Sequence, residues 1–212
     1  MAESGEKMKE SLMFLLRATI LVLLLIIFHG SVLAQRPGPE FRHQVACEPA
    51  EPRTKLEAIE SRFEQVLIKG FTQVASFSLR GADIRVDAVE IKEARPGGDR
   101  ALGLVIALRE QGETPRDNRA FVDYEEIDRL LRALESVAKV NESVTKLVGF
   151  EARYRTVGDI EVRVFRQSRA SGTAASISIG ICDRLTGLLT IDEMDRLRAH
   201  IVEAKARLDE IK

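Results

Sequence analysis

Apolar residues fall into three patterns along this chain. Ala18 to Phe28 reads ATILVLLLIIF, an unbroken apolar run. Further on, short segments alternate apolar with polar or small side chains, the period of a half-buried strand. Ile84, Val86 and Ala88 alternate, then Val89 and Ile91 follow on the opposite phase. Val162 and Val164 alternate and Phe165 falls out of phase. Slips at similar places predict a bulge or a strong twist in both strands. The segments 101–108 (ALGLVIAL) and 174–181 (AASISIGI) each have a face of large residues: Leu102, Leu104, Ile106 and Leu108 in one, Ile177, Ile179 and Ile181 in the other. The opposite faces are mostly small (Ala101, Gly103, Ala107; Ala174, Ser176, Ser178, Gly180) and admit the close approach of another sheet or a partner. Two segments then change to helical spacing, with stripes at Ile127, Leu130, Leu131, Leu134, Val137 and at Met194, Leu197, Ile201, Ala204, Leu208. Thr190 with Glu193 predicts a capping box, and Asp123 predicts a side-chain cap on the earlier helix. The acids Glu125, Glu126, Asp128 and Asp192, Glu193, Asp195 then sit in first turns, where they offset the helix dipole.

These patterns occur twice in the same order. Thr54–Phe63 (TKLEAIESRF) matches Thr145–Tyr154 (TKLVGFEARY); Asp83–Val86 matches Asp159–Val162; Glu126–Leu130 matches Glu193–Leu197. Ordered matches at a shortening offset are the mark of a tandem unit with shorter loops in its second copy. The expectation is an α+β fold of two tandem repeats, 54–140 and 145–210. Each repeat has antiparallel strands closed by a C-terminal helix, and the two form one pseudo-two-fold, single-core domain over 54–212. Neither repeat alone can bury both a sheet face and a helix stripe. Turns at Arg95–Gly98 and Ala170–Gly172 supply the glycines that hairpins need.

The apolar run changes the address. Lys7, Lys9 and Arg17 precede it, and Val32 and Ala34 fit the small-residue rule for signal peptidase, placing cleavage between Ala34 and Gln35. The expectation is a signal peptide over 1–34, a proline-rich linker over 35–53, and an exported protein, periplasmic or secreted. The alternative is a membrane anchor over 12–34, against which the run is short of the roughly 20 residues a span needs. In an oxidising compartment the only cysteines, Cys47 and Cys182, are a candidate disulfide; the alternative is one buried and one free thiol. Asn141-Glu142-Ser143 is a glycosylation sequon with meaning only in a eukaryotic secretory pathway.

Composition narrows the function classes. Lys and Arg total 32 against 33 Asp and Glu, and aromatics are 5% with no Trp. Nucleic-acid binders carry a basic excess and stack bases on aromatic rings, so neither signal is present. There is no His-x-x-x-His, no Cys-x-x-Cys, no Gly-x-Ser-x-Gly and no phosphate loop. His43 lies in the linker and His200 beside a helix stripe, where a structural role fits better than catalysis. No catalytic, metal or cofactor residue is assigned. Arg153, Arg155 and Arg163 form a candidate anion-binding stripe if they share a sheet face; interleaved Glu151, Asp159 and Glu161 favour cross-strand ion pairs instead.

Two strand-rich units each closed by a helix resemble, over about Thr54 to Lys212, the architecture of Whirly proteins and related single-stranded-DNA-binding coactivators. That resemblance implies paired sheet-and-helix units and single-stranded nucleic-acid binding. The lysine-rich contact motif of that family is missing, with Lys69-Gly70-Phe71 its nearest fragment. The chain is also similar to an uncharacterised family of exported bacterial proteins, through Thr54–Glu57 leading into a strand and Asp123–Asp128 (DYEEID) opening a helix. This second resemblance implies no activity. The reading is therefore an exported, non-catalytic binding or assembly module whose partner is a protein or a small ligand. A Whirly-like single-stranded nucleic-acid binder is second, and an enzyme is third.

Overall fold

The computed structural model describes residues 51–166, 172–181 and 183–212. Ala34, Gln35, Cys47 and Cys182, and with them the leader, the cleavage site and the candidate disulfide, lie outside the described residues. The chain is α+β. Its elements are α1 (Lys55–Glu60), β1 (Leu67–Leu79), β2 (Ala82–Glu93), β3 (Arg100–Glu110), β4 (Asp117–Asp123), α2 (Tyr124–Ala138), a short 3-10 turn (Glu142–Val144), β5 (Phe150–Arg155), β6 (Ile160–Arg166), β7 (Ala174–Ile179), β8 (Leu185–Leu189) and α3 (Ile191–Asp209). Two antiparallel four-stranded sheets result, β1-β2-β3-β4 and β5-β6-β7-β8, each followed by a helix.

The inner faces of both sheets and the stripes of α2 and α3 bury one cluster. It includes Ile84, Val86, Leu104, Ile106 and Leu108 of the first sheet and Val162, Val164, Ile177 and Ile179 of the second. Ile127, Leu130 and Leu134 join it from α2, and Met194, Leu197, Ile201 and Leu208 from α3. The helices pack on each other. Helix α2 also touches β3, β4, β5 and β6, whereas α3 lies across β1, β2 and β3 and meets β8 at its start. The helical stripes read from the sequence are the buried faces.

Three local expectations are corrected. The matched segments Thr54–Phe63 and Thr145–Tyr154 adopt different structures: the first is α1, the second a loop running into β5. The fourth position decides it. Glu57 completes a capping box, its carboxylate accepting the Thr54 N–H while Thr54 Oγ1 accepts the Glu57 N–H, both at 3.1 Å. In the second segment that position is Val148, followed by Gly149, two poor helix formers without a reciprocal cap. There Thr145 Oγ1 accepts the Leu147 N–H instead, at 3.2 Å.

The second correction is the phase slip. Strands β2 and β6 pair in unbroken register with β3, β5 and β7. In β2 the slip marks burial on both faces: Ile84, Val86 and Ala88 face the main core, Val89 and Ile91 a second cluster under α1. The bulge lies in β1, between Gln73 and Ala75. Third, β7 ends at Ile179, so Ile181 is off the strand and exposed.

The small face of β3 does admit a close neighbour, and it is α1. Leu56 and Ile59 pack on Val89, Ile91, Ala101, Val105 and Phe121. A Cβ on Gly103 would stand 2.7 Å from Leu56 Cδ1 and overlap the Val122 carbonyl.

Candidate functional site

The register brings Arg153, Arg155 and Arg163 to one face of the second sheet. Arg153 stands opposite Arg163, and Arg155 opposite Glu161. Arg155 pairs with Asp159 at 2.5 Å. Arg163 lies 3.4 Å from Glu161 and 3.7 Å from Glu151, and Arg184 lies 3.1 Å from Glu161. The interleaved acids thus take up two of the three guanidiniums, leaving Arg153 exposed and without an ion pair among the described residues. Ser176 and Ser178 lie buried beneath this charged layer, and Ser178 Oγ shares a hydrogen bond with Thr186 Oγ1 at 2.8 Å.

The first-turn acids of α2 do more than offset a dipole. Asp123 makes no side-chain cap on its own helix. Its carboxylate accepts the N–H groups of Lys55 (2.8 Å) and Leu56 (3.2 Å), so it caps α1. Glu125 pairs with Lys55 at 2.7 Å. Buried Glu126 accepts the Val157 N–H at 2.9 Å and ties the β5–β6 turn to α2. In that turn a Cβ on Gly158 would overlap the Phe121 carbonyl oxygen, and Asp159 pairs with Arg53 at 2.8 Å. In α3 the expected capping box of Thr190 and Glu193 is present, with N···O distances of 3.1 and 2.7 Å.

Among the described residues, no group of three His, Cys, Asp or Glu is placed to hold a metal ion. His200 Nδ1 lies 3.8 Å from Glu203, its ring 5.8 Å from that of Phe77. A groove of about 720 Å³ on the outer face of the first sheet is open and polar, lined by residues such as Ser76, Asp83, Arg85 and Arg109. The Ser78 hydroxyl, helped by Gln111, holds the Asp83 carboxyl below the usual range. Glu93 is the most enclosed carboxylate of a charged cluster with Arg62, Arg95 and Asp99. Arg95, then Arg62, holds its pKa down against the opposing effect of desolvation.

The feature that stands apart is the edge of the first sheet. Strand β1 is 13 residues long, against about five or six for a typical strand. From Ile68 to Gln73 it is exposed on both faces, with Phe71 70% accessible. The hydrogen-bond pattern shows which backbone groups are free. Ala94 N–H donates to Val66 C=O, so even-numbered residues up to the bulge bond β2. Consistently, odd-numbered Glu93 of β2 bonds across to Asp99 on the other side. Leu67, Lys69, Phe71 and Gln73 therefore turn N–H and C=O to the open edge. The bulge at Val74 switches the parity, and Arg80, now outward, exchanges hydrogen bonds with Leu188 of β8 at 3.0 and 3.3 Å. Among the described residues no strand pairs with this edge before Arg80. Periodicity did not reveal β1, because its first half is exposed on both faces and so does not alternate.

Comparison with protein-family models, with curated proteins and with solved structures found no match. Among the described residues no helix is long and apolar enough to cross a membrane.

Proposed function

We propose that this chain is an exported, non-catalytic binding or assembly module built from two tandem strand–helix repeats, and that it binds through the open edge of β1. The single observation that carries the binding role is that edge. Proteins normally blunt a sheet edge with short strands, proline, charge or a covering element, because unpaired N–H and C=O groups recruit other strands. Over Leu67–Gln73 there is no proline and one charge, Lys69, already paired with Glu60 at 2.6 Å. Edge addition fits this strand, since the backbone supplies the affinity and exposed side chains such as Phe71 the selectivity.

The tandem reading is supported by matched registers. Ile84 opposes Leu108 in the first sheet and Ile160 opposes Ile179 in the second, each directly after an aspartate. In this reading α1 is an addition to the first repeat. Export rests on the leader pattern. The test of the binding role is capture from the exported fraction by the immobilised protein and by its Phe71→Lys variant. A partner retained by the first and lost by the second is expected. Equal capture by both would move the binding surface elsewhere.

A further inference from the structure

We propose that the edge of β1 pairs with β1 of a second copy of this chain, antiparallel, about a two-fold axis at Gly70. Two four-stranded sheets would thereby join into one of eight strands. This rests on the reading of β1 as the binding edge and names its partner.

The choice of a second copy follows from the symmetry of the segment. The regular part of the edge runs from Leu67 to Gln73, bounded by the strand's start and by the bulge at Val74. Gly70 is its midpoint. In an antiparallel pair, residues that exchange hydrogen bonds must both point their backbone groups at the partner. With Gly70 on the axis, Leu67 meets Gln73 of the second copy and Lys69 meets Phe71. All four outward residues then find outward partners. Lys69 and Phe71 share the outer face, so each ring packs on the aliphatic stem of the other copy's Lys69, whose ammonium keeps its pair with Glu60. Gly70 itself falls in the closer, non-hydrogen-bonded pairing, where Cα atoms approach to about 4.5 Å and a missing Cβ removes crowding.

Neighbouring registers are worse. An axis at Lys69 sets two ammonium groups directly opposite each other, which is destabilising. An axis at Phe71 runs the ladder into the bulge. Isologous pairing of this kind closes on itself and leaves no free β1 edge, so it yields dimers and not fibres. The formal net charge of −1 sets up no long-range repulsion between copies. A seven-residue edge is a small contact, below the roughly 1,200–2,000 Å² of standard interfaces, in the size class of transient associations.

Sedimentation velocity on the purified protein tests this, over protein concentrations from the low to the high micromolar. A concentration-dependent monomer–dimer equilibrium is expected. Phe71→Lys sets like charges opposite each other and should raise the dissociation constant at least tenfold; because Phe71 is exposed, its thermal unfolding should match that of the parent protein. The register has its own readout, in a background with Cys47 and Cys182 replaced by Ser. Gly70→Cys should form an interchain disulfide on mild oxidation, and Thr72→Cys, whose copies lie far apart, should not. A Cβ at Gly70 meets only Glu90, at 3.8 Å or more, so that variant folds. A parent protein that stays monomeric throughout overturns the second-copy partner, while Phe71-dependent capture of another polypeptide would leave the edge reading standing. A dimer unaffected by Phe71→Lys overturns the site, and crosslinking of Thr72→Cys in preference to Gly70→Cys overturns the register.

Discussion

Cutting Leu130 and Leu197 to Ala, one at a time, asks whether the two helices are anchored equally. Both leucines are 1% exposed, one on α2 and one on α3, in the same buried cluster. Each truncation removes about three methylene equivalents, near 2.4 kcal/mol at about 0.8 per group. The cavity left behind adds about 24 cal/mol per Å³ that the neighbours fail to fill. The sum falls within the observed range for buried leucines, about 2–5 kcal/mol. For a folded unit of this size a loss near 3 kcal/mol lowers the melting temperature by roughly 6–12 °C. Urea unfolding followed by circular dichroism gives both free energies, with Asp128→Ala and Glu203→Ala as exposed controls expected within about 0.5 kcal/mol of the parent. Similar costs for the two leucines, with unchanged denaturant slopes, are expected. A Leu197→Ala variant losing under about 1 kcal/mol while Leu130→Ala loses over about 3 would refute equal anchoring. It would also remove a main support for the tandem reading.

Asp123→Ala should cost about 1 kcal/mol through α1 and not α2, so hydrogen exchange should quicken at Lys55 and Leu56 while α2 stays protected. Glu126→Ala strands the Val157 N–H and should cost about 1–3 kcal/mol, with Glu126→Gln recovering part of it because the amide oxygen still accepts. The lowered pKa of Glu93 means its contribution is complete above the ordinary glutamate value of about 4.3 and fades as pH falls through the lower folded value. The stability difference between the parent and Glu93→Gln should therefore shrink in acid and stay flat from about pH 6 to 8; a difference that grew in acid would reverse the sign. Titration with a single-stranded oligonucleotide at about 150 mM salt should show nothing tighter than the non-specific range of roughly 10⁻⁴–10⁻⁶ M. Nanomolar binding lost on Arg153→Ala would instead make the second sheet a nucleic-acid surface.

The parts of the fold legible in the sequence were those fixed by one repeating local pattern. The stripes from Ile127 and Met194 were readable because a helix buries one face at constant spacing, and the Thr190–Glu193 cap because both partners lie within one turn. Asp123 and Glu126 were misread because a carboxylate bonds whichever N–H the tertiary structure brings near. Here those donors belong to α1 and to the β5–β6 turn, far away in sequence. The double burial of β2 looked like a bulge for a similar reason: an apolar residue on the second face registers as a phase error until α1 is known to lie there. Strand β1 escaped notice where it matters most. Its second half alternates, with Ala75, Phe77 and Leu79 buried, but from Ile68 to Gln73 every residue is exposed, so no burial imposes a period there. The arginine face was the opposite case, since alternation alone put Arg153 and Arg155 on one side and the interleaved acids announced the ion pairs of Arg155 and Arg163.

The two sheets solve the same inner problem and different outer ones. Inward, both present branched aliphatics to a shared core. Outward, the first sheet shows Val89, Ile91, Ala101, Val105 and Phe121, an apolar surface that must be covered, and α1 covers it. The second shows Ser176 and Ser178 flanked by Glu161 and Arg163. Small hydroxyl side chains there need only the stems of neighbouring arginines to exclude water, and those stems shield apolar surface while their charged heads stay hydrated. Glu161, itself buried, holds Arg163 and Arg184 in place over that face. The pair of segments TKLE and TKLV follows this division. Where the sheet behind it offers an apolar bed, the segment carries the glutamate that closes a capping box and folds as a helix. In the second segment valine takes that place, and the chain runs on through exposed Leu147 and Val148 toward β5. A Glu57→Val substitution should accordingly release α1 and expose its apolar bed, raising binding of a hydrophobic dye while the inner core, read by the far-ultraviolet sheet signal, stays intact. Loss of the whole fold with that one substitution would mean the outer layer is not the separable addition that the packing implies.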